Sequence, residues 1–372
     1  MSTSSSPQTA AQRLLSLDFL RGAIMVTLML GETGFFSKLN IAFDNGLTQF
    51  LHYEFEHSVW RGLRLWDILL PSFLFIAGTA LAFSYNKQVQ LGYSWQKAFR
   101  KVLRRSLLLL LWGTLVYAVR GKEINLDFSN VLTELAFGTM TAFLIIRWPA
   151  RWQFAASIVI ILLTEFLYKF TNVPEFDQPF TDQHNFGNYM DLIVTGKVHP
   201  GHGPVMNWLP CAASVVWGMM TGQLLLGAKT NTAKVRSMLL FAALAIIAGL
   251  VMDLTGITPM LKWISSTSFV MVNAGVTLIL LAVSFEVIDV RSRQKGLKFF
   301  TIVGMNSIFI YLFFTFIGDR WMNEFVEILV SGLLNKLSVR LALGSALSSL
   351  VVFGIEWYMC YFLYKKKLFF KL

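Results

Sequence analysis

Residues 57–78 read HSVWRGLRLWDILLPSFLFIAG, a polar and aromatic stretch that turns apolar at Leu65. The apolar run continues to Phe83, long enough for a membrane helix. Asp67 falls near the first turn of that helix. A carboxylate at the edge of hydrocarbon is costly, so it needs a partner or a task. His57 stands ten residues earlier, on the wet side of the boundary. An imidazole titrates near neutral pH and can carry a proton, which makes it the natural partner.

The rest of the chain fits a membrane setting. Of 372 residues, 55% are hydrophobic and 14% charged, and the mean hydropathy is +0.58. A soluble protein of this length is more polar. The net charge of +11 lies in short blocks between apolar runs, which argues for loop topology and against a nucleic-acid partner. Cys211 and Cys360 fall in apolar runs and read as buried thiols, with no disulfide framework or zinc spacing. Residues 1–13 are rich in Ser, Thr, Gln and Ala and lack an apolar core, so they read as a disordered cytoplasmic tail and not a signal peptide.

Ten apolar segments are expected to span: 20–36, 65–83, 106–119, 131–146, 154–170, 208–226, 238–252, 267–288, 299–317 and 341–364. The fold class is therefore all-α, a single polytopic domain over residues 14–372 with both termini in the cytoplasm. In this topology twenty of the 32 basic residues face inward and eleven outward, with Arg21 inside the first span. That bias has the sign of the positive-inside rule and is expected of a multi-pass protein of the cell (inner) membrane. Two long connections face outward, at 37–64 and 171–207, and His57 lies in the first.

Several polar residues are candidates for chemistry. Glu32 falls about 20 Å along the first span at 1.5 Å per residue. With Asp67, Glu134 and Glu165 it suggests a polar cavity open outward, although each acid could simply bond a neighbouring helix. Asp18 and Arg21 share a helix face and form either an ion pair or an anion site. His184, His199 and His202 sit in the second outer connection without a metal-ligand pattern. Gly218 and Gly222 make a small-xxx-small packing face. Pro71 is expected to kink the second span one turn past Asp67.

At these residues a resemblance emerges. Ser16-Leu17-Asp18-Phe19-Leu20-Arg21-Gly22 opens the first span; His57, Trp60, Gly62, Asp67, Pro71, Phe73, Phe75 and Gly78 follow. Lys262-Trp263, Ser266-Thr267-Ser268-Phe269, Gly304-Met305-Asn306-Ser307 and Tyr311 come later. The pattern resembles heparan-α-glucosaminide N-acetyltransferase and its bacterial relatives, within a wider transmembrane acyltransferase group. The resemblance implies transfer of an acetyl group from cytosolic acetyl-CoA, a co-substrate, to a glucosamine-type acceptor across the membrane. It implies that His57 is essential, that Asp67 is the acid needed nearby, and it permits a homodimer. Glu32 stands where the lysosomal member has an asparagine, exchanging a neutral amide for an acid.

The chemistry follows. An amino sugar is largely an ammonium ion near neutral pH and must lose a proton before it attacks a thioester. His57, oriented by Asp67, is suited to be the base, with Glu32 beside it. Asn306 and Ser268 are the expected donors to the thioester oxygen. Arg21, Arg100, Arg104 and Arg105 are expected to meet the phosphates of CoA, with Trp263 also on the donor side. Three other readings compete: an amino-sugar transporter, an O-acetyltransferase of an envelope glycan, and a non-catalytic scaffold in membrane lipid.

Overall fold

The computed structural model describes residues 14–121, 128–198 and 203–370. The expected tail at 1–13 lies outside them. Fifteen α-helices organise the described residues: α1 (Leu15–Glu32), α2 (Phe35–Phe43), α3 (Gly46–Glu54), α4 (Leu65–Gln90), α5 (Trp95–Gly121), α6 (Val131–Ile145), α7 (Ala150–Phe170), α8 (Phe186–Thr195), α9 (Trp208–Leu226), α10 (Asn231–Leu254), α11 (Thr267–Ser284), α12 (Leu297–Met305), α13 (Ser307–Phe313), α14 (Asn323–Lys336) and α15 (Leu341–Lys365). Turns of wider, π-type winding extend α11 through Val290 and join α13 to α14 over Phe314–Met322. Among the described residues there is no strand, only an isolated bridge between Arg61 and Leu261.

Among the described residues seven helices are long and apolar enough to cross a membrane, or nine if each of two bent pairs is one span. The pairs are α1 with α2, bent by 55°, and α12 with the helix that follows Asn306, bent by 74°. The fourth expected span, 131–146, is α6, which has only 15 residues, shorter than a full bilayer crossing.

Other boundaries move for physical reasons. The third span was expected to be short, but α5 begins at Trp95 and carries Lys97, Arg100, Lys101, Arg104 and Arg105 on its early turns. Charge hid that helix from a hydropathy reading. The connection at 37–64 is largely helical, because Asn45 caps α3 by accepting from Leu47 and Thr48. Glu32 is not inside a continuous span: it ends α1, and Gly34 at φ 71° turns the chain into α2. Helix α4 continues through Pro71, and Asn273 Nδ2 donates to the Ile68 carbonyl at 3.1 Å in that turn.

Small residues let the central helices touch backbone to backbone. A Cβ on Gly218 of α9 would overlap the Phe75 carbonyl of α4, and one on Gly222 would lie 2.6 Å from the Thr79 carbonyl oxygen. Gly78 makes the reciprocal approach to Val215. The glycine pair expected to pack closely thus joins α4 to α9. Gly22 and Gly304 join α1 to α12 in the same manner. Helix α10 is peripheral and exposes Leu240, Phe241, Leu244 and Ile247, an apolar face suited to hydrocarbon.

Candidate active site

The site begins at the N-terminus of α4. Asp67 is 1% exposed and has no access to water, so its acceptors must be met by protein. Its Oδ2 accepts from the backbone N–H of Ser58 and of Arg64, each at 3.2 Å. Its Oδ1 lies 2.9 Å from His57 Nδ1. Both backbone bonds and the helix N-terminus favour a carboxylate here. A carboxylate at Oδ1 selects the tautomer with hydrogen on Nδ1, which leaves the Nε2 lone pair for chemistry. Burial lowers the His57 pKa below its ordinary value; Asp67 opposes this, and Lys262 and Arg64 add to it. The ring is therefore neutral near pH 7, the form a base needs.

A second loop closes over the ring. Lys262 Nζ stands 3.0 Å from His57 Nδ1 and 3.3 Å from Nε2, and 3.8 Å from the Trp263 ring centroid. The two loops are joined by the Arg61–Leu261 bridge, a Gly62 N–H to Met260 carbonyl bond of 2.9 Å and an Arg61–Asp253 ion pair of 3.1 Å. Asp253 also accepts from the Met260 N–H, and Asn207 Nδ2 donates to the Trp263 carbonyl at 2.7 Å. Trp263 Nε1 returns to the first loop by donating to the Ser58 and Val59 carbonyls, each at 3.0 Å. Its ring meets His57 edge-on with centroids 5.3 Å apart. Burial brings the Lys262 ammonium down to a pKa of about 8, against the pull of Asp67 and Glu134.

A cavity of about 220 Å³ opens from this corner. His57, Lys262 and Trp263 line one end, with Glu32, Glu134, Tyr117, Tyr311, Asn207 and Cys211 around the rest and Phe269, Phe314 and Leu70 as apolar walls. Glu134 lies beside Cys211, whose sulfur is 3.6 Å from Ser265 Oγ. The arrangement offers a neutral base, an adjacent cation, acids suited to an amine and rings suited to a sugar face.

The structure gathers His57, Asp67, Glu32 and Trp263 at this corner, with Trp263 against the histidine where the donor side was expected, and it adds Lys262. Lys262 enters the sequence reading as an outer-loop charge and as part of the Lys262-Trp263 motif, without a role, and the 205 residues between it and His57 leave no local signal of their approach. Other expected members stand elsewhere. Ser268 is buried, with its hydroxyl 3.2 Å from Ser266 Oγ, and braces the loop that carries Lys262. Asn306 sits at the 74° break and accepts from the Phe370 N–H at 3.1 Å. Neither lines the cavity. Arg21 and Arg105 lie within electrostatic reach of each other on α1 and α5, away from His57, while Arg100 and Arg104 line an exposed groove on α5. Glu165 is structural: it accepts from Thr258 and Thr267 and pairs with Lys169 at 2.8 Å. His184 is 3.2 Å from the Glu175 carbonyl; His199 and His202 lie outside the described residues. Among the described residues no group of three or more His, Cys, Asp or Glu is set to hold a metal. Both cysteines are buried and free.

Residues 13–253 match the family model for heparan-alpha-glucosaminide N-acetyltransferase, catalytic. His57, Asp67 and Glu134 lie within that match, and Lys262 just beyond it. The mouse (Mus musculus) heparan-alpha-glucosaminide N-acetyltransferase is 23% identical over 432 aligned residues, covering 98% of this chain and 61% of the relative. The human (Homo sapiens) protein of that name is 22% identical, covering 97% and 60%. The chain thus spans about three fifths of the length of these curated relatives. A helical bundle with several membrane-length spans, a buried His–Asp pair at a cavity mouth and a match over most of its length identify the chain as a multi-pass membrane protein belonging to the heparan-α-glucosaminide N-acetyltransferase catalytic family.

Proposed function

We propose that the protein transfers an acetyl group from acetyl-CoA to the amine of a glucosamine-type acceptor. The observation that carries this reading is the 2.9 Å contact between His57 Nδ1 and a fully enclosed Asp67, with the imidazole on the wall of a cavity. His57 Nε2 takes the proton that the amine sheds as nitrogen attacks the thioester carbon. Asp67 fixes the tautomer and stabilises the imidazolium formed. Collapse of the tetrahedral intermediate breaks the C–S bond, and the imidazolium returns its proton to the departing sulfur. Because the acceptor begins as an ammonium ion, one further proton leaves for water. Direct attack needs no acetyl-histidine, and the single base suffices for it.

The donor side is read from Arg21 and Arg105. Among the described residues no hydrogen bond or ion pair satisfies Arg105, and it bears the like charge of Arg21. Two guanidinium groups in that position suit phosphates of CoA. In this reading the donor enters from the cytoplasmic end and His57 faces the outer mouth of an inner-membrane protein.

The test uses purified protein in detergent or nanodiscs, labelled acetyl-CoA and glucosamine. Label is expected in an amide product; His57→Ala is expected to abolish transfer while CoA binding persists. Wild-type turnover in His57→Ala overturns the mechanism. An ester product would assign the site to a hydroxyl acceptor instead.

A further inference from the structure

The expected oxyanion donors, Asn306 and Ser268, do not line the reaction cavity, yet a cation stands against the base. We propose that Lys262 is a catalytic residue of this site: its amine caps His57 Nε2 in the unloaded cavity and, once the acceptor amine displaces it, turns its ammonium to the thioester oxygen. The inference rests on the acetyl-transfer reading above.

Geometry supplies the argument. His57 Nδ1 has its hydrogen committed to Asp67 at 2.9 Å, so it cannot accept from Lys262 although the nitrogens are 3.0 Å apart. The ring acceptor open to Lys262 is Nε2 at 3.3 Å, the same lone pair that the reaction requires. Acceptor amine and Lys262 therefore compete for one position. Lys262 cannot leave the neighbourhood when displaced. Its backbone carbonyl accepts from Ser265 N–H at 2.9 Å, the loop is pinned by Asn207 and Asp253, and Ser266 Oγ accepts from the Leu261 N–H at 3.0 Å. Among the described residues no carboxylate is within ion-pair distance of its Nζ, so its positive charge is not consumed by a salt bridge.

In the reaction the N–C bond forms while the carbonyl π electrons move to oxygen, and Lys262 donates a hydrogen bond to that oxygen. The electrons return as the C–S bond breaks, sulfur leaves with its pair, and His57 delivers the proton. Lys262 ends as it began, so the step balances without a further reactant. A charged donor brought to a developing oxyanion is the type of contact that lowers an acyl-transfer barrier.

The titratable groups that face Lys262 are His57 and Arg64 from the first loop, Asp67 from α4 and Glu134 from α6. Glu32, Cys211, Tyr117 and Tyr311 share its cavity. The required forms are neutral His57 and charged Lys262. Rate thus falls on the acid side as His57 gains a proton and on the alkaline side as Lys262 loses one, near its pKa of about 8.

The experiment measures kcat and KM against pH for the wild type, Lys262→Met and Lys262→Arg, with labelled acetyl-CoA and glucosamine. Lys262→Met is expected to lose about 10²–10³-fold in kcat, the effect of removing one oxyanion donor, and to lose the alkaline limb. KM for acetyl-CoA should move by less than about threefold, as for an interaction made in the transition state. Lys262→Arg should retain more turnover and shift the alkaline limb upward, because a guanidinium stays charged. An unchanged kcat and alkaline limb in both variants, with active wild type, overturns the role of Lys262 alone. No transfer by the wild type overturns the underlying reading as well. Thermal unfolding of each variant in the same detergent separates loss of fold from loss of chemistry.

Discussion

Asp67 and Glu356 are both 1% exposed acids in apolar helices, yet their surroundings differ in kind. Asp67 receives two backbone N–H groups and an imidazole, which together occupy both oxygens. Glu356, midway along α15, has an Oε2 without a hydrogen-bond partner among the described residues and feels the like charge of Glu32. Its other oxygen approaches Gly318, where a Cβ would come within 3.0 Å. Burial of a carboxylate alone does not mark a reactive centre. What distinguishes Asp67 is a set of donors that hold it charged and use it to aim a ring.

The largest effect expected is from His57→Ala, which should reduce transfer by about 10⁴-fold or more. Equal retention of activity in His57→Ala and Glu356→Gln would erase the contrast. Asp67→Asn should cost nearly as much, about 10³–10⁴-fold in kcat, because an amide can hold the wrong tautomer. It also removes the group that raises the His57 pKa, so the acid limb should move to still lower pH. In the wild type that limb should already lie below about 6.5, the ordinary value for an imidazole. A limb above 7 in the rate profile would contradict the burial of His57.

Arg105→Met should weaken donor binding by about tenfold, the loss of one charge-assisted contact, and leave kcat nearly unaltered. Calorimetry with CoA is the check, and undiminished affinity would remove Arg105 from the phosphate site. Ser268→Ala should cost about 1 kcal/mol of stability, one hydrogen bond under the Lys262 loop, without abolishing turnover. Least of all, Glu356→Gln should change activity by less than about twofold, since Glu356 does not line the cavity. A large loss there would mean that Glu356 handles a proton.

Much of this contrast was legible in the chain. The loop-to-helix boundary at Leu65, the acid at its first turn and the histidine ten residues before it are local features, and the structure joins them by a short bond. Apolar length also located the main helices. Three things were not local. The basic residues of α5 hid a helix, because hydropathy penalises charge while helix propensity does not. Asn306 and Ser268 carry the right functional groups, but one secures a helix break and the other a loop. Lys262 reaches the ring only through a bridge between two connections far apart in sequence, and the hydrophobic period carries no record of such a pairing.

That bridge has a practical corollary. Residues 61 and 261 face each other in antiparallel register, the separation at which a pair of introduced cysteines can close a disulfide. The native thiols are buried in the bundle and remote from such chemistry. An oxidant would then staple the lysine-bearing loop onto the histidine-bearing one, and a reductant would release it, giving external control over whether the mouth of the protein can breathe.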